Sequence, residues 1–181
     1  LVGIKPTHQL EIGAKAGAMS GNGYDARLNL GSKMGKAYIQ AGFSILNREF
    51  VPLSANFDTS ALEKNHSRDN SYRKDIKGSV KIGYTPNITD EYSINYIISH
   101  GSKGNPVYLG EDNTIRTRYW DWPYWDKQSV YFISKTALGQ KSYLKARLFF
   151  DEFKNKLRSF DDDSYTTQQK GYAFNSYFKD Y

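Results

Sequence analysis

The run Tyr72-Arg73-Lys74-Asp75-Ile76-Lys77-Gly78-Ser79-Val80-Lys81-Ile82-Gly83-Tyr84 decides the fold. Tyr72, Ile76, Gly78, Val80, Ile82 and Tyr84 take one parity; Arg73, Asp75, Lys77, Ser79 and Lys81 take the other. Successive side chains of an extended chain point to opposite faces, so this spacing predicts a strand with one apolar and one charged face. Full charges occupy the middle of the polar face, which suits a wall between water and an apolar solvent.

The pattern continues on both sides. After the turn Pro86-Asn87-Ile88-Thr89, Tyr92, Ile94, Tyr96 and Ile98 alternate with Glu91, Ser93, Asn95 and Ser99. Tyr84 and Tyr92 flank that turn, as an aromatic girdle at a membrane interface does. Upstream, Ala37, Ile39, Ala41, Phe43 and Ile45 oppose Lys36, Tyr38, Gln40, Gly42 and Ser44. Before them, Tyr24, Ala26, Leu28 and Leu30 oppose Asp25, Arg27, Asn29 and Gly31, and Leu10, Ile12, Ala14, Ala16 and Ala18 oppose Gln9, Glu11, Gly13, Lys15 and Gly17. Downstream, Leu144, Ala146, Leu148 and Phe150 oppose Lys145, Arg147 and Asp151, and Tyr172, Phe174 and Phe178 oppose Asn175, Tyr177 and Lys179. Between these lies a strand of ambiguous parity: Val130, Phe132 and Leu138 go with Ser134 and Thr136, whereas Tyr131 and Ile133 go with Lys135.

Eight strand segments therefore predict an all-β, antiparallel up-and-down meander. The connections alternate in length. Residues 31–35, 85–90 and 139–141 read as tight turns; residues 49–70, 101–126 and 155–168 read as long loops, with the short Met19 to Gly23 link as the exception. In a meander this puts tight turns on one rim and long loops on the other, the asymmetry of outer-membrane barrels.

Composition agrees. Only 39% of the 181 residues are apolar, yet 15% are aromatic, with 15 Tyr, 10 Phe and 3 Trp, too many for a disordered chain. No apolar run reaches the roughly 18 residues of a membrane-spanning helix, a test that barrel strands escape. The absence of cysteine excludes disulfides and thiolate chemistry. The formal charge of +6 suggests an anionic partner, although many of the cations fall in one polar row. The chain begins at Leu1 with no leader pattern, as a mature form or an excised fragment does.

These strands and loops resemble the amino-terminal part of the barrel of TonB-dependent outer-membrane receptors. Ile4-Lys5-Pro6-Thr7-His8-Gln9-Leu10-Glu11 looks like the junction between plug and first barrel strand. Arg118-Tyr119-Trp120-Asp121-Trp122-Pro123-Tyr124-Trp125-Asp126-Lys127 is similar to the tryptophan-proline-aromatic runs that enter strands in this family, and Ser159-Phe160-Asp161-Asp162-Asp163-Ser164-Tyr165-Thr166-Thr167 to one of its loops. The resemblance implies a parent of about 22 strands around a plug. Residues 1–7 would then end the plug or junction, and 8–181 would be part of the barrel domain. It further implies a siderophore-type ligand, coupling to TonB through the parent, and contact with plug, remaining strands, outer-membrane lipid and lipopolysaccharide. Energy-coupled nutrient import at the Gram-negative outer membrane is the expected function, with no cofactor and no enzyme activity.

Arg116, Arg118, Tyr119, Trp120, Trp122, Tyr124 and Trp125 form the densest polar-aromatic cluster, expected on an external loop. Guanidinium forks match carboxylate or phosphate, and indole faces cover planar ligand parts. An interfacial aromatic belt is the competing reading. Lys36, Arg73, Asp75, Lys77, Lys81, Lys145, Arg147 and Asp151 are expected to face the lumen or the plug. His8, His66 and His100 lie in separate segments and offer no catalytic set. Asp161, Asp162 and Asp163 lack the alternate spacing of a calcium loop and read as a solvated tip. Two other architectures compete. A complete eight-stranded barrel with a structural or adhesive role fits poorly, because Lys179, Tyr177 and Asn175 precede Tyr181 where alternating apolar residues are expected. A soluble basic sheet binding nucleic acid needs cations and aromatics on one face, whereas most strands separate them.

Overall fold

The computed structural model describes residues 5–57, 63, 66–112 and 114–180, with the backbone alone at 170–174. Its strands are β1 (Glu11–Met19), β2 (Gly23–Met34), β3 (Ala37–Arg48), β4 (Val51–Pro52), β5 (Ser67–Arg68), β6 (Arg73–Tyr84), β7 (Glu91–Asn105), β8 (Tyr119–Ala137), β9 (Tyr143–Phe160) and β10 (Gln168–Asp180). Eight of them form one antiparallel sheet in the order β1-β2-β3-β6-β7-β8-β9-β10, and β4 pairs with β5 inside a loop. Each of the eight expected segments is one strand of that meander. β1 and β10 lie at opposite edges of the sheet.

Register decides which side chains share a face. Leu28 pairs with Phe43, Phe43 with Gly78 and Gly78 with Ile98. One row below, Leu30, Ala41, Val80, Tyr96, Val130 and Phe150 are partners in succession. β8 resolves its ambiguous parity here: Val130 and Phe132 join the apolar face, opposite Tyr96 and Ile94. β10 departs from the expected pattern, since Phe178 pairs with Phe153, whose next partner is Lys127 of the polar face. Tyr177 falls on the other side, bonded to Glu152; the side chains of Tyr172 and Phe174 lie outside the described residues.

The tight rim is as expected. Gly35 and Gly139 take φ of 60 and 87 at the β2–β3 and β8–β9 turns, where a side chain is strained. At the other rim the loops are shorter than the sequence suggests, because β7 runs on to Asn105, β8 already begins at Tyr119 and β9 reaches Phe160. Trp120, Trp122 and Trp125 therefore belong to a strand. The ladder between β8 and β9 shifts between Asp121 and Tyr124, and Pro123, which has no amide hydrogen to donate, falls in that irregularity.

A single sheet has no interior, and the burial follows from that. Ile82, Ile94 and Leu148 stand exposed on the apolar face, while the buried apolar side chains Tyr38, Val107 and Phe160 lie near the rims and the small Ser129 is covered in mid-strand. At the tight rim Tyr38 lies across Gly83, its register partner, and donates a 2.6 Å hydrogen bond to Glu91. A Cβ at Gly83 would come within 2.1 Å of the Tyr38 ring. Gly83→Ala is expected to expel that ring and lower stability by about 1–3 kcal/mol, the usual cost of overpacking, in a denaturant titration. Unchanged stability would show that the ring has an equally good second position.

Candidate functional site

The polar face carries seven of the eight residues expected on it. Arg73, Asp75, Lys77 and Lys81 alternate along β6, and register continues this face to Asp151, Arg147 and Lys145 of β9. Lys36 is the exception, placed in the β2–β3 turn. The face is partly neutralised from within. Arg73 bonds Asp75 at 2.7 Å, Asp151 accepts from Tyr131 at 2.7 Å and stands 3.7 Å from Lys127, and Glu91 gathers Lys5 at 2.6 Å and Lys81 at 4.0 Å. Arg147 lies over Tyr131 and Phe149 at 5.0 and 5.4 Å. Cations and aromatics thus share this face on β8 and β9, which corrects the separation expected from the sequence.

Toward the long-loop rim the same face becomes an aromatic stack. Trp120 meets Trp122 edge-on at 6.4 Å, Trp122 meets Trp125 at 5.9 Å, and Trp125 meets Phe153 at 5.1 Å. Lys103 stands over two of these indoles, 4.8 Å from Trp122 and 4.1 Å from Trp125, and Arg118 stands 4.5 Å from Trp120. Trp120 donates its indole hydrogen to Ser159 at 3.0 Å, which fixes one end of the stack.

The expected cluster is only partly assembled. Trp120, Trp122, Trp125 and Arg118 come together. Tyr119 turns instead to Tyr165 at 6.1 Å, and Tyr165 to Phe160 at 5.5 Å, as loop packing. That packing desolvates the Tyr165 hydroxyl and raises its pKa. Tyr124 faces the other way and reaches Asn175 at 3.2 Å. Arg116 is exposed and makes no ion pair or ring contact among the described residues. Lys103 and Phe153 are additions. Extending the parity of Asn95, Ile97 and Ser99 two steps past Gly101 would have found Lys103, had β7 not been ended near Ser99.

Among the described residues no three histidine or acidic side chains converge to hold a metal ion. Asp161, Asp162 and Asp163 are exposed, and Asp162 accepts bonds from the Ser164 side chain and backbone, which lower its pKa. His100 pairs with Asp126 at 3.4 Å and His8 with Glu11 at 3.1 Å, far apart on the sheet. The arrangement suits binding of an anionic or planar molecule: fixed indole faces, two cations above them and a rigid strand beneath. No family model, curated protein or solved structure matches the chain.

Proposed function

We propose that this chain is part of the wall of a Gram-negative outer-membrane barrel of about 22 strands, in a TonB-dependent receptor that imports a scarce nutrient such as a ferric siderophore. The observation that carries the membrane reading is the slanted edge of the apolar face. On β3 and β6 the last apolar residues before the long-loop rim are Ile45 and Ile76, which are partners; their row reaches His100 on β7 and is polar there. The row of Gly78 and Ile98 turns polar at Gln128 and Glu152. The row of Val80 is the first from that rim to stay apolar as far as Val130 and Phe150.

The edge therefore drops by four positions, Ile76 to Val80 on β6, over the four strand-to-strand steps from β3 to β9. At about 3.3 Å per residue and about 4.8 Å per strand this is a slope of about 35°. Strands of membrane barrels tilt by about 35–45°, so a level bilayer drawn across tilted strands leaves such a slanted edge. Residues 76–84 of β6 span about 27 Å along the strand and about 22 Å along the normal at that tilt, near the roughly 25 Å of an outer-membrane apolar band. Tyr84 and Tyr92, direct partners, stand at its lower edge.

A soluble sheet binding nucleic acid leaves this band uncovered, and a complete eight-stranded barrel requires β1 to pair with β10, which lie at opposite edges. In this reading lipid covers the band, the plug faces the polar side, and further strands of the parent pair with the two edges. The Lys103, Trp122 and Trp125 stack stands on the polar face, away from the lipid side where an anchoring belt is needed, which favours ligand capture there. Spin labels placed along β3 and β9 in the vesicle-assembled parent receptor test the slant. Oxygen accessibility should give way to water-soluble relaxant between Ile45 and Asn47 on β3, and between Phe150 and Glu152 on β9. Relaxant access along the whole of both strands would overturn the membrane reading.

A further inference from the structure

On β8 and β9 the polar face keeps its rings well below the indole stack. Tyr131 and Phe149 are direct partners, stacked with 22° between their planes, and the exposed Ile133 and Arg147 are the next pair on that face. Contacts link the two regions. Phe153 of the stack pairs with Lys127, Lys127 stands 3.7 Å from Asp151, and Asp151 accepts from Tyr131 at 2.7 Å.

Beyond Arg147, toward the tight rim, the face carries two lysines set directly opposite each other, Lys135 on β8 and Lys145 on β9. Like charges at directly opposed strand positions repel and destabilise a sheet. Both ammonium groups lie by the ring of Tyr143, at 5.6 and 5.0 Å, much as Arg147 lies by Tyr131 and Phe149.

The acids nearest in register are committed elsewhere. Glu91, the partner of Lys135 on β7, is held by Lys5 and by Tyr38, both at 2.6 Å. Asp90 accepts from the Ala137 amide at 2.8 Å and from Asn87 at 3.0 Å. Among the described residues no carboxylate stands within ion-pair distance of Lys135, Lys145 or Arg147. Three exposed cations that repel one another are stabilised together by one anion of more than single charge.

We infer that Lys135, Lys145 and Arg147, beside Tyr143 and the Tyr131–Phe149 pair, form a second binding site, for a small planar molecule carrying two or more negative charges. It rests on the capture reading above and deepens it by naming the ligand's chemistry. The stack at Trp122 and this inner site both set a cation over a ring, about 26 Å apart along β9 from Phe153 to Lys145, so one ligand suits both. Rings dominate the outer site and charge the inner one, so a captured anion meets the stronger field nearer the tight rim.

The test uses the parent receptor in detergent micelles, where both rims meet solvent, titrated with pyrenetetrasulfonate, a planar fluorescent tetra-anion. Two sites are expected. Citrate, anionic but not planar, should displace the probe from the inner site; caffeine, planar but uncharged, should displace it from the outer one. The triple variant K135Q/K145Q/R147Q should weaken the inner site on the order of tenfold, as three exposed charge contacts are lost, and leave the outer site unchanged. The triple variant K74Q/K154Q/K156Q, which removes equal charge from the opposite face, should retain both. Lys145→Glu separates binding from folding: it sets opposite charges across the ladder, so it should raise resistance to denaturant while abolishing inner binding. A single site untouched by the first triple variant, the result if acids of the plug hold these cations, overturns the inference, as does inner binding that survives Lys145→Glu. The capture reading then stands if Lys103→Gln weakens the remaining site. Binding at the inner site alone keeps this inference and removes capture at Trp122.

Discussion

Val80→Arg is expected to destabilise the vesicle-assembled parent receptor by about 2–4 kcal/mol, the cost of an arginine at the lipid face near the bilayer midplane of a membrane barrel. Val80 lies midway between Ile76 and Tyr84 on the apolar face of β6 and is 41% exposed. That exposure makes the experiment discriminating. At a water-exposed strand position such a substitution changes stability by within about 0.5 kcal/mol, so the two solvents predict effects several-fold apart at one residue. Depth supplies the internal control. Ile76→Arg, next to the polar edge, should cost only about 0–1 kcal/mol, because the arginine head reaches the interface. On β9 the equivalent edge position is Phe150, and Leu148 lies between that edge and the midplane, which falls near Ala146 because the band has descended there. A denaturant titration of these two variants together with Phe150→Arg and Leu148→Arg should order the four by depth beneath the edge of about 35°. Equal and small costs at Val80 and Ile76 would return the face to water.

The alternation that defines β6 depends only on neighbouring residues, and so it was legible in the sequence. So was the tight rim, where Gly35, Pro86 and Gly139 mark turns by local backbone preference. The ends of β7, β8 and β9 were not. Trp120-Asp121-Trp122-Pro123 resembles a loop when proline is weighed alone, and it is a strand because Asp121 and Trp120 pair across with Arg158 and Ser159 on a neighbour thirty-seven or more residues away. The inverted face of β10 has the same origin. Phe178 has an apolar parity of its own, but Phe153 of β9 decides which side it joins. In the candidate site, the indoles and Arg118 could be named from composition. Lys103 and Phe153 needed strand register.

Arg68→Met is the second large effect expected, and it falls on the long loops. Glu63 is fully buried, and its carboxylate is held by the Arg68 guanidinium at 2.7 Å and the Asp69 amide at 2.8 Å. The same guanidinium donates to the Val107 carbonyl at 2.6 Å, and Val107 is itself buried, so one side chain ties residues 49–72 to residues 106–118. Removing the cation leaves an uncompensated carboxylate out of water, which costs about 3–5 kcal/mol where the pair is truly buried. The loss should be local: the sheet ladders do not depend on this pair, and the loops are the segments that open first. Hydrogen exchange at the Asp69 amide should quicken by orders of magnitude while that of Val80 and Ile94 stays slow. Glu63→Gln combined with Arg68→Met should recover much of the protection, because the charge that demanded the cation is gone. Arg118 follows the second of these loops and lies over Trp120, so loosening the tie should also free that guanidinium from the indole stack, visible as a change in tryptophan emission. Slow exchange at Asp69 in the single variant would mean that Glu63 finds another partner, and that the two loops are held together by Val107 and their backbone bonds alone.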